Sequence, residues 1–473
     1  MSTVDGDVAQ QLTGYIAAAR WFGGKGRRLE VRSVTALPWV NDPAADPAVR
    51  FEVAEVGYPD DAGSGSEYYQ LAVAYRREAQ PGLEHARIGR FADGDQGSWT
   101  GYDALQDPQA CSVILAALVS GQRLSGELGD VRFELSAAQG LTADLEPKIF
   151  TGQQSNTSVM FGEVSMIKFF RRLELGRNLD IEVHDALNRA GIEDVAGLFG
   201  WIEATWTASD GASLTADLAM AVEKLAQAED GWGLALDSIR ASTPFAPHAR
   251  ALGAALAETH HALRASFATA AIPGGQVAAI MTERLRRAAS IATALEPYTY
   301  GLQAGFADLE HAELVTQRVH GDFHLGQTLH TPTGWKIIDF EGEPVKSLAE
   351  RSEPDSVHRD IAGMLRSFDY AAASVPGPDS AQWAADCRTA FLVGYAGGPL
   401  AADDAAVLRA YEADKAIYEV VYEVRNRPDW VGIPLGAIAA LAAVGEAGHS
   451  PADDDVSGGP DTHPTLAENQ VKE

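Results

Sequence analysis

The stretch His320-Gly321-Asp322-Phe323-His324-Leu325-Gly326-Gln327, followed after a short connector by Ile337-Ile338-Asp339-Phe340-Glu341-Gly342-Glu343, decides how this chain is read. It places a carboxylate (Asp322), an amide five residues on (Gln327) and a second carboxylate (Asp339) within one hairpin-sized segment. That is the layout of a kinase catalytic loop followed by a metal-binding turn. Asp322 is suited to accept or orient the proton of an attacking sugar hydroxyl. Gln327 and Asp339 offer oxygens to Mg2+, a hard cation that uses few protein ligands and completes its shell with phosphate and water. Thr331-Pro332-Thr333-Gly334 is a turn signal, and Trp335 to Phe340 reads as the returning strand, with Asp339 where the chain turns. His-x-Asp alone is an ordinary turn; the reading rests on the whole string. Gln327 stands where a usual kinase has Asn, and Glu341 where it has Gly, which makes this a variant.

Working outward, 473 residues suffice for two or three domains with cores of their own. A hydrophobic content of 46% and an aromatic content of 8% describe an ordinary globular protein. The net charge of −29 argues against nucleic acid as a partner, and it requires that a polyanion such as ATP be met by local donors and Mg2+. Cys111 and Cys387 are far apart and read as buried, reduced thiols of a cytosolic protein. The start, Met1 to Asp7, is acidic and unlike a signal peptide, and the apolar stretch from Val431 to Gly445 falls short of a membrane span and contains Pro434. A soluble, cytoplasmic protein without a membrane partner is the expectation.

Residues 1–95 combine a helix over Val8 to Ala19 with alternating strands and read as an N-terminal subdomain. In it, Trp21-Phe22-Gly23-Gly24-Lys25 reads as a surface turn before it reads as a phosphate contact. Residues 96–222 form a second unit, with a helix over Asp107 to Leu124 and strands at Val131 to Leu135, Leu145 to Phe150, Ser158 to Phe161 and Val164 to Phe170. Gln154, Ser155, Asn156, Thr157 and Ser158 lie in a connector of small polar residues, which could lay N–H groups over phosphates or be a plain hairpin turn. Lys168, a cation inside an apolar strand, needs a partner. Glu182 on the next helix supplies one, as in a kinase N-lobe; the plain alternative is a snorkelling lysine and a solvated acid. Val222 to Leu225 follows a strand pair and reads as a lobe connector, with the backbone of Glu223 and Leu225 placed for adenine. Residues 223–446 are mainly helical, over Ala249 to Phe267, Val277 to Leu295, Ala307 to Val319 and Ala402 to Asn426; His260 and His261 read as polar-face residues. On the last helix Glu419, Tyr422 and Glu423 share helical spacing, either as a sugar-binding face or as a solvated one. Residues 447–473, rich in Pro, Asp, Gly and Ser, read as a disordered tail.

Together with Arg20-Trp21-Phe22, Lys168-Phe169-Phe170-Arg171-Arg172-Leu173, Arg359 to Phe368 and Asp414 to Pro428, these motifs make the whole chain similar to actinobacterial maltokinases. These are relatives of the aminoglycoside phosphotransferase group of eukaryotic-like kinases. The resemblance implies an α+β, bilobal protein-kinase-like fold with an N-terminal cap subdomain and a mostly helical C-lobe. It implies ATP-dependent phosphorylation of maltose at its anomeric hydroxyl, giving maltose 1-phosphate for α-glucan (glycogen) synthesis, with trehalose synthase as a partner. Residue by residue it makes Asp322 the base, Gln327 and Asp339 the Mg2+ ligands and Lys168 a phosphate contact, and sets His324, Tyr422, Glu423 and Arg425 around the sugar. Similar glucosamine kinases carry Gln and Trp where this chain has Glu419 and Tyr422, which favours maltose. A glucosamine or aminoglycoside kinase is the alternative. A non-catalytic subunit of trehalose synthase is a third reading, motivated by Gln327 and Glu341 and opposed by Lys168, Asp322 and Asp339.

Overall fold

The computed structural model describes residues 6–60, 65–92, 98–136, 140–150, 156–343 and 346–448. The expected phosphate-loop residues Gln154 and Ser155, and all but the first two residues of the expected tail, lie outside them. The chain forms two compact units interleaved in sequence: Met1–Ala270, Thr316–Asp360 and Ala371–Pro399 in one, and Ala271–Val315, Ile361–Tyr370 and Leu400–Glu473 in the other.

The first unit opens with α1 (Gly6–Ala18) and the strands β1 (Glu30–Trp39), β2 (Ala48–Gly57), β3 (Glu67–Arg76), β4 (Arg87–Ala92) and β5 (Ser98–Asp103), paired in the order β1-β2-β3-β5-β4. Their period of two buries both faces. Val49, Phe51 and Val53 of β2 and Ala72 and Ala74 of β3 enter one core with α2 (Pro108–Val119). Ala54, Val56, Leu71 and Val73 enter another with Leu12 and Ile16 of α1. α2 starts where Asp107 accepts the Gln109 N–H and Pro108 takes the first helical position, which needs no N–H. It stops at Val119, earlier than expected, because Gly121 adopts a positive φ of 62° just beyond its end.

A second sheet follows: β6 (Arg123–Ser125), β7 (Gly129–Leu135), β8 (Pro147–Ile149), β9 (Thr157–Phe161) and β10 (Ser165–Phe169), then, after β11 (Arg172–Leu173) and α3 (Leu179–Arg189), β12 (Leu198–Thr207) and β13 (Ser213–Glu223). Its order is β6-β7-β12-β13-β10-β9-β8, while β11 extends the first sheet beside β3. Lys168 sits opposite Ser158 on one side and Met220 on the other.

The chain continues through β14 (Glu229–Asp230), α4 (Gly231–Ala241), α5 (Ala246–Ser266), β15 (Ala270–Pro273), α6 (Gly274–Ile291), α7 (Thr299–Ala307) and β16 (Glu313–Thr316). The helix expected over Ala307 to Val319 is therefore a helix end, a turn and a strand, in keeping with the β-branched Val315 and Thr316. Next come β17 (Thr328–Thr331) and β18 (Gly334–Ile337), which pair with each other and, through β17, with β14, and then α8 (Leu348–Ser352), α9 (His358–Ser374), α10 (Ser380–Ala396), α11 (Ala402–Asn426) and α12 (Gly432–Gly448). Cys111 and Cys387 are free, buried thiols.

In the second unit α7 and α12 cross at Gly301 and Gly445, where a Cβ on Gly445 would stand 2.1 Å from the Gly301 carbonyl oxygen. The helical segment Pro428–Ala447 runs 20 residues at a mean hydropathy of 1.6, so by length and composition it is long and apolar enough to cross a membrane; 22% of it is buried in the structure. It exceeds the stretch read from sequence because Pro428 and Pro434 both fall in first turns, where proline costs no hydrogen bond.

Candidate active site

Within the first unit the expected catalytic loop is fixed by its backbone. The Asp360 carboxylate accepts the N–H of His320 at 2.7 Å and that of Gly321 at 2.8 Å, and it meets His260 Nε2 at 2.9 Å. Arg359 Nε donates to the Gly321 carbonyl at 2.9 Å. Burial raises the Asp360 carboxyl, but His260, His320 and the Gly321 N–H together hold it below its ordinary value. His260 is thus a core residue between Asp360 and Tyr395, not the polar-face residue expected. His320 Nε2 lies 3.0 Å from the Ile338 carbonyl oxygen, and the Ile338 N–H donates to the Gln327 carbonyl at 3.1 Å, so the loop and the metal-type turn are cross-tied. Asp322 hangs from this frame with His324 Nε2 4.0 Å from its carboxylate, while His324 Nδ1 accepts the Gly326 N–H at 3.0 Å. Asp339 has a φ of +67°, a conformation non-glycine residues seldom hold except where surroundings impose it.

Lys168 projects from β10 into three carboxylates: Glu341 at 2.5 Å, and Asp180 and Asp339 at 3.4 Å each. Burial works against its charge, yet Glu341 first, then Asp180 and Asp339, hold its ammonium well above the ordinary lysine value. Burial and the other two acids push Glu341 upward against the pull of Lys168. Asp180 lies far below the usual carboxylate range, because Lys168, His184 and the Phe340 N–H outweigh burial. The helix acid that faces Lys168 is therefore Asp180, and the expected Lys168–Glu182 pair is corrected: Glu182 bonds Arg318 at 3.1 Å. Asn178 caps α3, putting Asp180 in its first turn against the strand. Two residues on is about 200° around the helix, which turns Glu182 away.

Asp322, Gln327, Asp339 and Glu341 line one cleft of about 250 Å³, joined by Asn156 and by Trp21. Thr157 and Ser158 belong to β9; the Thr157 hydroxyl accepts Arg171 Nε at 2.8 Å and Ser158 is buried. The N–H of Glu223 donates to Gly197 and that of Lys224 to Val164, while Leu225 follows, half-buried, outside regular structure. Lys25, weighed as a phosphate contact, caps the end of α1 through the Ala19 carbonyl at 2.7 Å. Sequence reasoning missed four further cleft residues, Glu174, Asn178, Asp217 and Arg351. Asp217 accepts the Asn178 N–H at 2.7 Å, and burial pushes its carboxyl up to about 6 against the pull of Arg177. Arg351 bonds the Glu341 carbonyl at 2.7 Å and Glu174.

The expected sugar face on α11 lies in the second unit and does not form as read. Glu419 is buried on Arg366 at 2.9 Å, and Glu423 is buried between Tyr370 at 3.1 Å and Arg427 at 2.7 Å. These two carboxylates, four residues apart, face the unit's interior, where each needs a partner. Tyr422 and Arg425 are exposed, with the Tyr422 ring stacked 6.4 Å from Tyr418.

Residues 15–107 match the family model described as the maltokinase N-terminal cap domain. A glucosamine kinase from Streptacidiphilus jiangxiensis is 29% identical over 350 residues, covering 67% of this chain and 78% of its own. Another, from Mycolicibacterium smegmatis, is 29% identical over 327 residues, covering 62% and 78%. A solved glucosamine kinase in complex with glucosamine, ADP and inorganic phosphate superposes with a TM-score of 0.63 at 22% identity, over 93% of this chain and all of that one. The fold is thus kinase-like, with an N-terminal cap domain and a helical C-terminal region.

Proposed function

We propose that this chain is a maltokinase-like kinase of the aminoglycoside phosphotransferase type, a reading supported by the cap-domain match and by the glucosamine kinase relatives, and that it transfers the γ-phosphoryl group of ATP to a sugar hydroxyl, with maltose as the acceptor and maltose 1-phosphate as the product. The observation that carries the transfer is the single cleft holding Asp322, Gln327, Asp339 and Glu341, with Lys168 tied to the last two. The acceptor oxygen attacks the γ-phosphorus, the bond to the bridging oxygen of ADP breaks, and Asp322 takes the hydroxyl proton. Lys168 presents the positive charge for the phosphates, and Asp360 holds the loop so that Asp322 is already oriented. The donors fit a hard cation: the carboxylates of Asp339 and Glu341 lie within 4.8 Å of each other, and the Gln327 amide lines the same cleft. Asp339 and Gln327 would hold Mg2+, which when bound neutralises phosphate charge.

Maltose is supported by the cap-domain match over residues 15–107. A glucosamine kinase is the second reading, favoured by the relatives at 29% identity. Glu419, engaged by Arg366, does not decide between them. The product of the maltose reading is an activated glycosyl phosphate, which suits α-glucan synthesis and trehalose synthase as a partner. Replacing Asp322 by Asn tests the chemistry: turnover falls by roughly a thousandfold while ADP affinity stays within about threefold. Retained turnover removes Asp322 from its role.

A further inference from the structure

We propose that Trp21, supplied by the N-terminal cap, is a specificity-determining wall of the acceptor subsite; this rests on the sugar-kinase reading above. Trp21 lines the same cleft as Asp322 and Gln327, although its segment reads from sequence as a surface turn. Several groups hold its ring in place. Tyr15 meets it edge-on at 6.1 Å, Tyr69 lies at 5.9 Å, and the guanidinium of Arg171 stands 5.1 Å from its centre. Arg171 is itself fixed, 1% exposed, by Asp103 at 2.6 Å and by Thr157 at 2.8 Å. The Tyr15 hydroxyl donates to the same Asp103 oxygen at 2.7 Å. One buried ion pair thereby joins the cap, the edge of the expected phosphate loop and the indole. A ring held this firmly, yet only half-buried, keeps a face for a ligand and loses little freedom when one binds.

The strand β10 says which ligand that is. Its Ser165 end lies opposite Glu223, at the connector assigned to adenine, and Lys168 stands at its middle. Arg171, the support of Trp21, comes two residues after β10 ends at Phe169, so along the chain it lies past Lys168 on the side away from Ser165. A nucleotide whose base is at the connector and whose phosphates are at Lys168 leaves Trp21 beyond the transferred group, on the acceptor's side. An indole there suits the apolar face of a pyranose, with Asp322 and Gln327 serving its hydroxyls and phosphate.

The test is the full chain carrying W21A and W21F, assayed with Mg·ATP and with maltose and glucosamine as probes. W21A raises the KM of the turned-over sugar about tenfold and leaves ADP affinity within twofold, and W21F restores most of the loss. In the wild type, adding that sugar changes the intrinsic tryptophan fluorescence; in W21F the change disappears. An unchanged sugar KM, or ADP affinity falling in parallel, overturns the proposal. If W21A does not fold, a fluorescence response that persists in W21F overturns it. A wild type that phosphorylates neither sugar removes the kinase reading itself, whereas a working wild type with an unaffected W21A removes only the role of Trp21.

Discussion

Lys168 shows what a single residue can and cannot disclose before folding. A cation in an apolar strand announces that partners exist, but it does not name them, and here they come from 12, 171 and 173 residues away. Glu341 is the nearest, and it occupies the position where a usual kinase has glycine. On the proposed kinase reading its carboxylate would compete with phosphate for the same ammonium. E341Q should therefore tighten ADP binding measured in the presence of a metal chelator, roughly tenfold if one charged hydrogen bond is released. Weaker binding in that titration would show that Glu341 supports the nucleotide instead of opposing it. Asp322 and Asp339 could be singled out because they belong to one short local string, and the structure brings both to one cleft. Asp360 lies in the motif Arg359 to Phe368, yet its grip on two backbone N–H groups 39 and 40 residues away has no local signal.

Among the elements, α3 carries the sharpest correction. Its start follows from the Asn178 cap, whose side chain accepts the N–H groups of Asp180 and Ile181. Its rotation about its own axis, which decides between Asp180 and Glu182, depends on α5 and β12, which pack against it. D180N should lower stability by about 3 kcal/mol, since it strips a buried charge pair, and reduce kcat/KM by at least about a hundredfold, while E182Q changes both little. Equal effects in thermal melts and kinetics would restore Glu182. Asp217 of β13 accepts the N–H of Asn178, the cap of α3, and makes that junction sensitive to pH. Its carboxyl titrates near 6 in the folded chain against a reference of 3.8, because burial outweighs Arg177 and the Asn178 N–H. Folding thus favours its protonated form, so its contribution to stability is complete below about pH 4 and is lost as the pH rises through about 6. The Tm of the wild type relative to D217N should decline over that window by the equivalent of about 3 kcal/mol and then level off. A difference that grows with pH would mean that pairing with Arg177 dominates. On α11 the helix itself was plain in the sequence, but spacing does not say which face is inside, and Arg366 draws Glu419 inward.

For the molecule as a whole, the kinase-like fold was readable because the strands, the connector and the catalytic string occur in order along one chain. The cap was readable as a small sheet but not as a contributor to the cleft, since Trp21 is held there by contacts with Tyr69 and Arg171, the latter paired with Asp103, that are made in three dimensions. On the proposed reading the choice of acceptor sugar depends on such contacts too. Its direct measurement is ADP release with Mg·ATP against maltose, glucosamine, glucose and an aminoglycoside, with the phosphorylated product identified by mass and by the position of the phosphate. Turnover confined to maltose, with the phosphate on the anomeric oxygen, is the expected result. Turnover confined to glucosamine would contradict the assigned acceptor while leaving the catalytic cleft intact, and ADP release with none of the four would contradict the kinase reading at its root.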